Sequence, residues 1–151
     1  MIATIIPTTG TLAVAPRSNP MRRLVYVSRS FIDADPATLD AMVRESSVRN
    51  VAVGITGMLW FDGSYFAQVL EGEHDQVCET MKRIRSDPRH SDLEVVLDQE
   101  VKGRAFGKWG MAQPNNGPES MASTAFLVGL SITRRGHAAK RLHDIVVACE
   151  A

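Results

Sequence analysis

Tyr26, Asn50 and Gln68 are polar side chains set among apolar neighbours, and each needs a hydrogen-bond partner inside the fold. Gln68 lies in the run Tyr65-Phe66-Ala67-Gln68-Val69-Leu70-Glu71-Gly72, between Phe66 and Leu70 on one face of a strand. A primary amide both donates and accepts, and burying it unpaired costs about 2 kcal/mol or more. Tyr26 shares a strand face with Leu24 and Ser28, so a phenol and an amide can meet in the core if the two strands are neighbours. Asn50 closes the inner stripe of a helix that begins apolar, with Leu39 and Val43, and ends polar, with Ser46 and Asn50. Together they make a polar site suited to a planar ligand rich in carbonyls and ring nitrogens. Tyrosine can lose an electron and a proton together. Glutamine has two ends of opposite hydrogen-bond polarity, so a change in its form reverses which group donates. Taken singly, each is an ordinary residue: a backbone-capping amide, a core tyrosine, a helix C-terminal asparagine in the left-handed conformation.

The elements that must position them follow from the punctuation of the chain. Leu24–Ser28 reads as a central strand, apolar on both faces. Asp35-Pro36 supplies an N-cap and a first-turn proline, starting a helix that runs to Asn50. Thr56–Phe61 and Ser64–Leu70 are strands joined by the hairpin turn Asp62-Gly63. A second helix spans about Glu73 to Ser86, with Val77, Met81 and Ile84 inward, and Asp87-Pro88 ends it. Leu93–Val101 is a fourth strand and 108–113, starting at Lys108, a short fifth. The expected fold is α+β: a ferredoxin-like βαββαβ sheet with an added fifth strand, two helices on one face, and two short C-terminal helices. Those last helices cover about Glu119–Leu130 and Arg134–Cys149. Ala138, Leu142, Ile145, Val146 and Cys149 form one apolar stripe, to be packed on the domain or on another chain.

A chain of 151 residues supports one domain with a real core. Seventeen basic and seventeen acidic residues cancel, which argues against nucleic acid or an anionic membrane as partner. Cys78 and Cys149 are far apart, with no CxxC and no histidine cluster at ligand spacing, so reduced thiols in a cytoplasmic protein and no metal site are expected. No apolar run reaches the roughly eighteen residues that would span a bilayer. Residues 1–20 lack a basic n-region and are read as a flexible tail, with Met21 as a second candidate start.

Five separated motifs carry a resemblance over about Arg22 to Met111: LVYVSRS, the asparagine of VRNVAVGITGMLW, YFAQVLEG, DPRHSD and RAFGKWGM. In this order and spacing the chain resembles the BLUF family of flavin-binding blue-light sensors. The resemblance implies a domain over 21–115, a helical extension over 116–151, and non-covalent FAD with its ring between the two helices. It implies Tyr26 as the photoactive tyrosine, Gln68 as the amide beside the flavin's central ring nitrogen and carbonyl, and Asn50 at the pyrimidine edge. Electron and proton then leave Tyr26 by way of Gln68, and the amide is left rearranged. Ser46 lines the site, Arg89 and His90 stand near the ribityl and phosphate end, and Trp109 and Met111 relay the change outward. No role falls to Arg49, whose position varies in the family. The resemblance further implies a sensor that is not an enzyme, a homo-oligomer, and a separate effector protein, cyclic-dinucleotide phosphodiesterases being one class. The residues beyond Gly117 are too few for a cyclase or phosphodiesterase domain.

Two other readings share the fold. An acylphosphatase-type enzyme needs a glycine-rich arginine loop after the first strand, and Ser28-Arg29-Ser30-Phe31 has no glycine. A cofactor-free interaction module needs none of the polar trio and would purify colourless.

Overall fold

The computed structural model describes residues 20–150 apart from 33, 107 and 108, so the tail expected over 1–20 lies almost wholly outside the described residues. The elements run β1 (Met21–Ser30), α1 (Pro36–Ala52), β2 (Thr56–Phe61), β3 (Tyr65–Glu73), α2 (His74–Arg85), β4 (His90–Val101), α3 (Pro118–Thr133) and α4 (His137–Glu150). Local chemistry sets the first boundaries. The Asp35 carboxylate accepts from Ala37 N at 3.4 Å and Pro36 fills the first turn of α1. In the β2–β3 hairpin, Asp62 accepts from Ser64 N at 2.8 Å and Tyr65 N at 2.7 Å. Gly63 has φ +100°, a conformation that few residues other than glycine adopt.

That turn fixes Phe61 opposite Phe66, and the ladder carries the register inward. The sheet is antiparallel in the order β2-β3-β1-β4, the ferredoxin-like arrangement, and it sets Tyr26 directly across from Gln68. Because side chains alternate, β1 divides its residues between two cores. Leu24 and Tyr26, with Leu59, Phe66 and Leu70, lie under α1 and α2 against Val43, Val77 and Met81. Val25 and Val27, with Met58, Trp60, Ala67 and Val69, lie on the other face against Leu127 of α3 and Leu142, Ile145 and Val146 of α4. The α4 stripe therefore packs on its own sheet. Leu142, Ile145 and Val146 are fully buried there, each contributing on the order of 1.5–3 kcal/mol.

Several element ends shift by one to three residues from the sequence expectation, and two differences bear on the site. Strand β4 starts at His90 instead of Leu93, since Ser30 pairs with His90 at the far end of the β1 ladder. The expected fifth strand is not formed among the described residues. Trp109–Ala112 runs beside β2 with two backbone bonds, Gly57 N to Trp109 O at 2.8 Å and Leu59 N to Ala112 O at 2.9 Å. Two residues of β2 thus span three of the segment, so the register slips and no ladder develops. Gly110 explains the slip. Its carbonyl accepts from Asn50 Nδ2 at 2.7 Å, so this residue serves α1 and not β2. The fit is tight: a Cβ at Gly110 would stand 2.6 Å from Ser47 O and 2.7 Å from Val51 Cγ2.

Candidate functional site

A cleft between α1 and α2 opens above the β1–β3 register, with Tyr26, Asn50, Gln68 and Met111 in its interior. A cavity of about 80 Å³ lies within it and opens to solvent at its mouth. Ser46 and Met42 of α1 line it, as do Arg89 and His90 at the start of β4.

Tyr26 is 3% exposed, and its hydroxyl donates to Gln68 Oε1. Burial pushes the phenol well above its ordinary pKa, and the nearby Asp87 carboxylate adds to the effect. The hydroxyl is therefore a permanent donor, and it fixes the amide with Oε1 toward Tyr26 and Nε2 away. The partner that Nε2 meets is Met111 Sδ at 3.4 Å, and a thioether is only a weak acceptor. Gln68 is 7% exposed, so this end of a buried amide is poorly satisfied. Asn50, 2% exposed, shows the complementary deficit. Its Nδ2 is held by Gly110 O, and among the described residues no donor reaches Oδ1. An undersatisfied donor and a vacant acceptor thus line one cleft. That donor set fits a planar ring whose edge carries both carbonyls and N–H groups.

The residues at the mouth are more committed. Arg89 is held by Asp87, with Nε at 3.0 and 3.1 Å from the two carboxylate oxygens and Nη2 at 2.6 Å from Oδ2. These bonds hold the Asp87 carboxyl below the usual carboxylate range. His90 accepts or donates at both ring nitrogens, Nδ1 with Ser28 Oγ at 2.8 Å and Nε2 with Ile84 O at 2.6 Å. Since a carbonyl only accepts, Nε2 carries a proton in this arrangement. His90 thereby ties β1 to the end of α2 and offers the cleft its ring surface. Trp109 and Met111 separate. Met111 is buried in the cleft against Gln68, whereas Trp109 is half-buried and packs on the cluster beneath α3 and α4.

Sequence reasoning passed over two buried contributors. Glu71 is fully buried on the opposite sheet face, and its signal was a carboxylate of opposite parity to Gln68 on the same apolar strand. Gly110 left the weaker signal of a glycine between Trp109 and Met111. Among the described residues no cluster of three histidine, cysteine, aspartate or glutamate side chains could hold a metal ion, and no described helix is long and apolar enough to cross a membrane.

The family model described as sensors of blue light using FAD matches residues 21–112. The chain is 30% identical over 110 residues to photoactivated adenylate cyclase subunit beta of Euglena gracilis, covering 72% of this chain and 13% of that protein. It is 38% identical over 88 residues to the blue light- and temperature-regulated antirepressor BluF of Escherichia coli (strain K12), covering 58% of this chain and 22% of that protein. The chain thus spans less than a quarter of either relative. Among solved structures, the dark state of BlrB, a BLUF protein, matches 89% of this chain and all of its own, at 28% identity and a TM-score of 0.62. Klebsiella pneumoniae BlrP1 with FMN and cyclic diGMP matches 63% of this chain and 26% of its own, at 37% identity and a TM-score of 0.58. The chain belongs to the BLUF family, whose domain binds a flavin and acts as a blue-light sensor, not as a catalyst.

Proposed function

We propose that this chain is a blue-light photoreceptor that holds FAD in the α1–α2 cleft and signals to a separate effector protein. The observation that carries the reading is the line from Tyr26 through Gln68 to Met111, with one end of the amide committed and the other held by a thioether alone. A cofactor-free module has no use for that arrangement. When bound, the flavin supplies blue-light absorption and an excited state that can accept an electron. Tyr26 is the source of that electron and of the proton that follows, because its hydroxyl is buried, protonated and bonded to Gln68. Gln68 carries the proton and is left rearranged, by rotation or tautomerisation, when electron and proton have both returned to Tyr26. No net oxidation occurs. The new amide arrangement presents a donor where an acceptor stood, and it persists because buried hydrogen bonds are costly to break and remake.

The remaining roles follow from position. Asn50 Oδ1 accepts from the pyrimidine edge of the ring, Ser46 lines the same wall, and Arg89 and His90 stand beside the ribityl and phosphate end. Met111 meets the amide directly, so the relay to the surface begins there, and Trp109 is the residue that exchanges place with it. The flavin-binding unit comprises 21–115 and the helical extension 116–151. Output passes in trans from a cytoplasmic homo-oligomer, with a cyclic-dinucleotide phosphodiesterase as one class of effector.

The test is an absorption spectrum of the purified protein before and after blue illumination. Wild type should show a flavin spectrum with a small red shift that reverses in darkness. Tyr26→Phe should keep the flavin and lose the shift. A normal photocycle in that variant overturns the electron-transfer role, and a colourless protein that takes up no added flavin overturns the photoreceptor reading.

A further inference from the structure

Helix α3 reverses the usual division of a surface helix. Its buried face carries Ser120, Ser123, Thr124 and Ser131 beside Leu127, and its exposed face carries Met121, Ala122, Ala125, Gly129 and Ile132. The inward hydroxyls find partners: Ser120 Oγ accepts from Asn115 N at 2.8 Å, Thr124 Oγ1 accepts from Trp60 Nε1 at 3.4 Å, and Ser131 Oγ donates to Val128 O at 2.7 Å. The outward apolar groups face solvent, with Met121 57% and Ile132 69% exposed. An ordinary surface helix turns its apolar stripe inward and its polar face out. Gly129 is a second, independent sign. A glycine inside a helix weakens it relative to alanine, and no contact within the chain asks for one here. A Cβ at Gly129 would meet nothing within 4 Å among the described residues. The close approach that a glycine permits is therefore open only to a body outside the chain.

The spacing identifies that body as a helix. Pro118, Ala122, Ala125, Gly129 and Ile132 recur at alternating intervals of four and three, the seam of a helix pair. Glu119 is the sole charged residue of α3, so the partner must be apolar along the seam, and the basic face that suits a helix to a lipid surface is missing. A second α3 meets these demands. Antiparallel packing about the level of Leu127 places Ile132 of one copy over Ala122 of the other and Ala125 against Gly129, large on small and small on small. The same two-fold brings Glu119 at one end of the helix to Arg134 and Arg135 just past the other. Both arginines are exposed, and among the described residues neither side chain has a carboxylate partner. A parallel pair would set like charges together. We infer that α3 is the contact surface of a homodimer, packed antiparallel on the α3 of a second copy. The inference rests on the homo-oligomer of the proposed function, for which it supplies the surface, and does not depend on the flavin. A helix of 16 residues is only about 24 Å long. One face of it falls short of the roughly 800 Å² per partner of a standard interface, so the dimer is weak and concentration-dependent.

The test is sedimentation velocity of the full chain from about 1 μM to about 1 mM, with the thermal midpoint and flavin spectrum of each variant measured alongside. Wild type should pass from monomer to dimer within that range. Gly129→Leu fills open space, so it should weaken the dimer about tenfold or more while raising the midpoint of the dilute monomer by about 2–4 °C. A residue that only held the fold would move both readouts the same way. Glu119→Arg should also weaken the dimer, and adding Arg134→Glu and Arg135→Glu should restore it, a recovery that a parallel pair does not give. A dimer untouched by Gly129→Leu overturns the inference and leaves the homo-oligomer to another surface. A wild type that stays monomeric throughout overturns inference and homo-oligomer together, and if it then floats with neutral lipid vesicles the α3 face belongs to a membrane. The flavin spectrum reports separately: a normal dimer that takes up no flavin supports the inference and overturns the photoreceptor reading alone.

Discussion

Gln68 and Glu71 stand three residues apart on β3, face opposite sides of the sheet and are both buried, yet the fold treats them in opposite ways. Glu71 accepts from Arg23 Nε at 2.6 Å, from Ala105 N at 2.9 and 3.1 Å, and from Phe106 N at 2.7 Å. Its partner Arg23 lies over the rings of Phe106 and Phe126, at 5.9 and 5.2 Å. One carboxylate thus ties β3 and β1 to the loop that precedes Trp109, and through Arg23 it reaches α3. Gln68 has one end on Tyr26 and the other on a sulfur. The contrast separates two uses of a buried polar group. A group with its partners in place holds structure, and one left short in a cleft is kept for a ligand.

The largest effect should come from breaking the satisfied side. Glu71→Ala strands the Arg23 guanidinium, only 12% exposed, and leaves two backbone N–H groups without acceptors. Removing one partner of a buried ion pair costs on the order of 3–5 kcal/mol. Denaturant unfolding of flavin-free protein should show that loss, and a change under about 1 kcal/mol would mean that Glu71 is as dispensable as a surface carboxylate. Gly110→Ala tests the junction between the two sides. The added methyl collides with Ser47 O and Val51 Cγ2, so the segment bearing Trp109 and Met111 must move off α1, at a cost of about 1–3 kcal/mol. The same shift pulls the acceptor from Asn50, so flavin affinity should fall alongside the midpoint. Full flavin affinity in that variant would show that Asn50 holds its position without Gly110.

What the sequence made legible was local or set by alternation. The ends of β2 were readable because Gly54 and the Asp62-Gly63 turn bracket it, and the pairing of Tyr26 with Gln68 followed from strand order and period two. The fifth strand failed because Trp109 and Met111 alternate like strand residues, while the deciding contact, Asn50 to Gly110 across 60 positions, leaves no local trace. The start of β4 was missed for a related reason. His90 looked like loop, but its ring bridges Ser28 and Ile84, which fixes it at the head of the strand. Glu71 needed the packing of separate elements before its surroundings could be known. Residues whose partners are distant are therefore the ones that sequence under-reads, and they include most of the mouth of the site.

The smallest expected effect is the sharpest test of the comparison. Gln68→Leu alone removes the amide but leaves the Tyr26 hydroxyl buried without an acceptor, so it should cost about 1–3 kcal/mol in flavin-free protein. Adding Tyr26→Phe removes that orphan as well. The double variant replaces both partners of the bond with apolar groups of similar shape, and nothing further depends on the amide beyond a thioether contact. Its stability should return to within about 1 kcal/mol of wild type or exceed it, so the double-mutant cycle should show a large favourable coupling. No such recovery is open to Glu71, whose carboxylate also holds backbone groups that mutation cannot delete. If Tyr26→Phe/Gln68→Leu is instead as destabilised as Glu71→Ala, the Tyr26–Gln68 bond is part of the scaffold, and the distinction between the two faces of β3 fails.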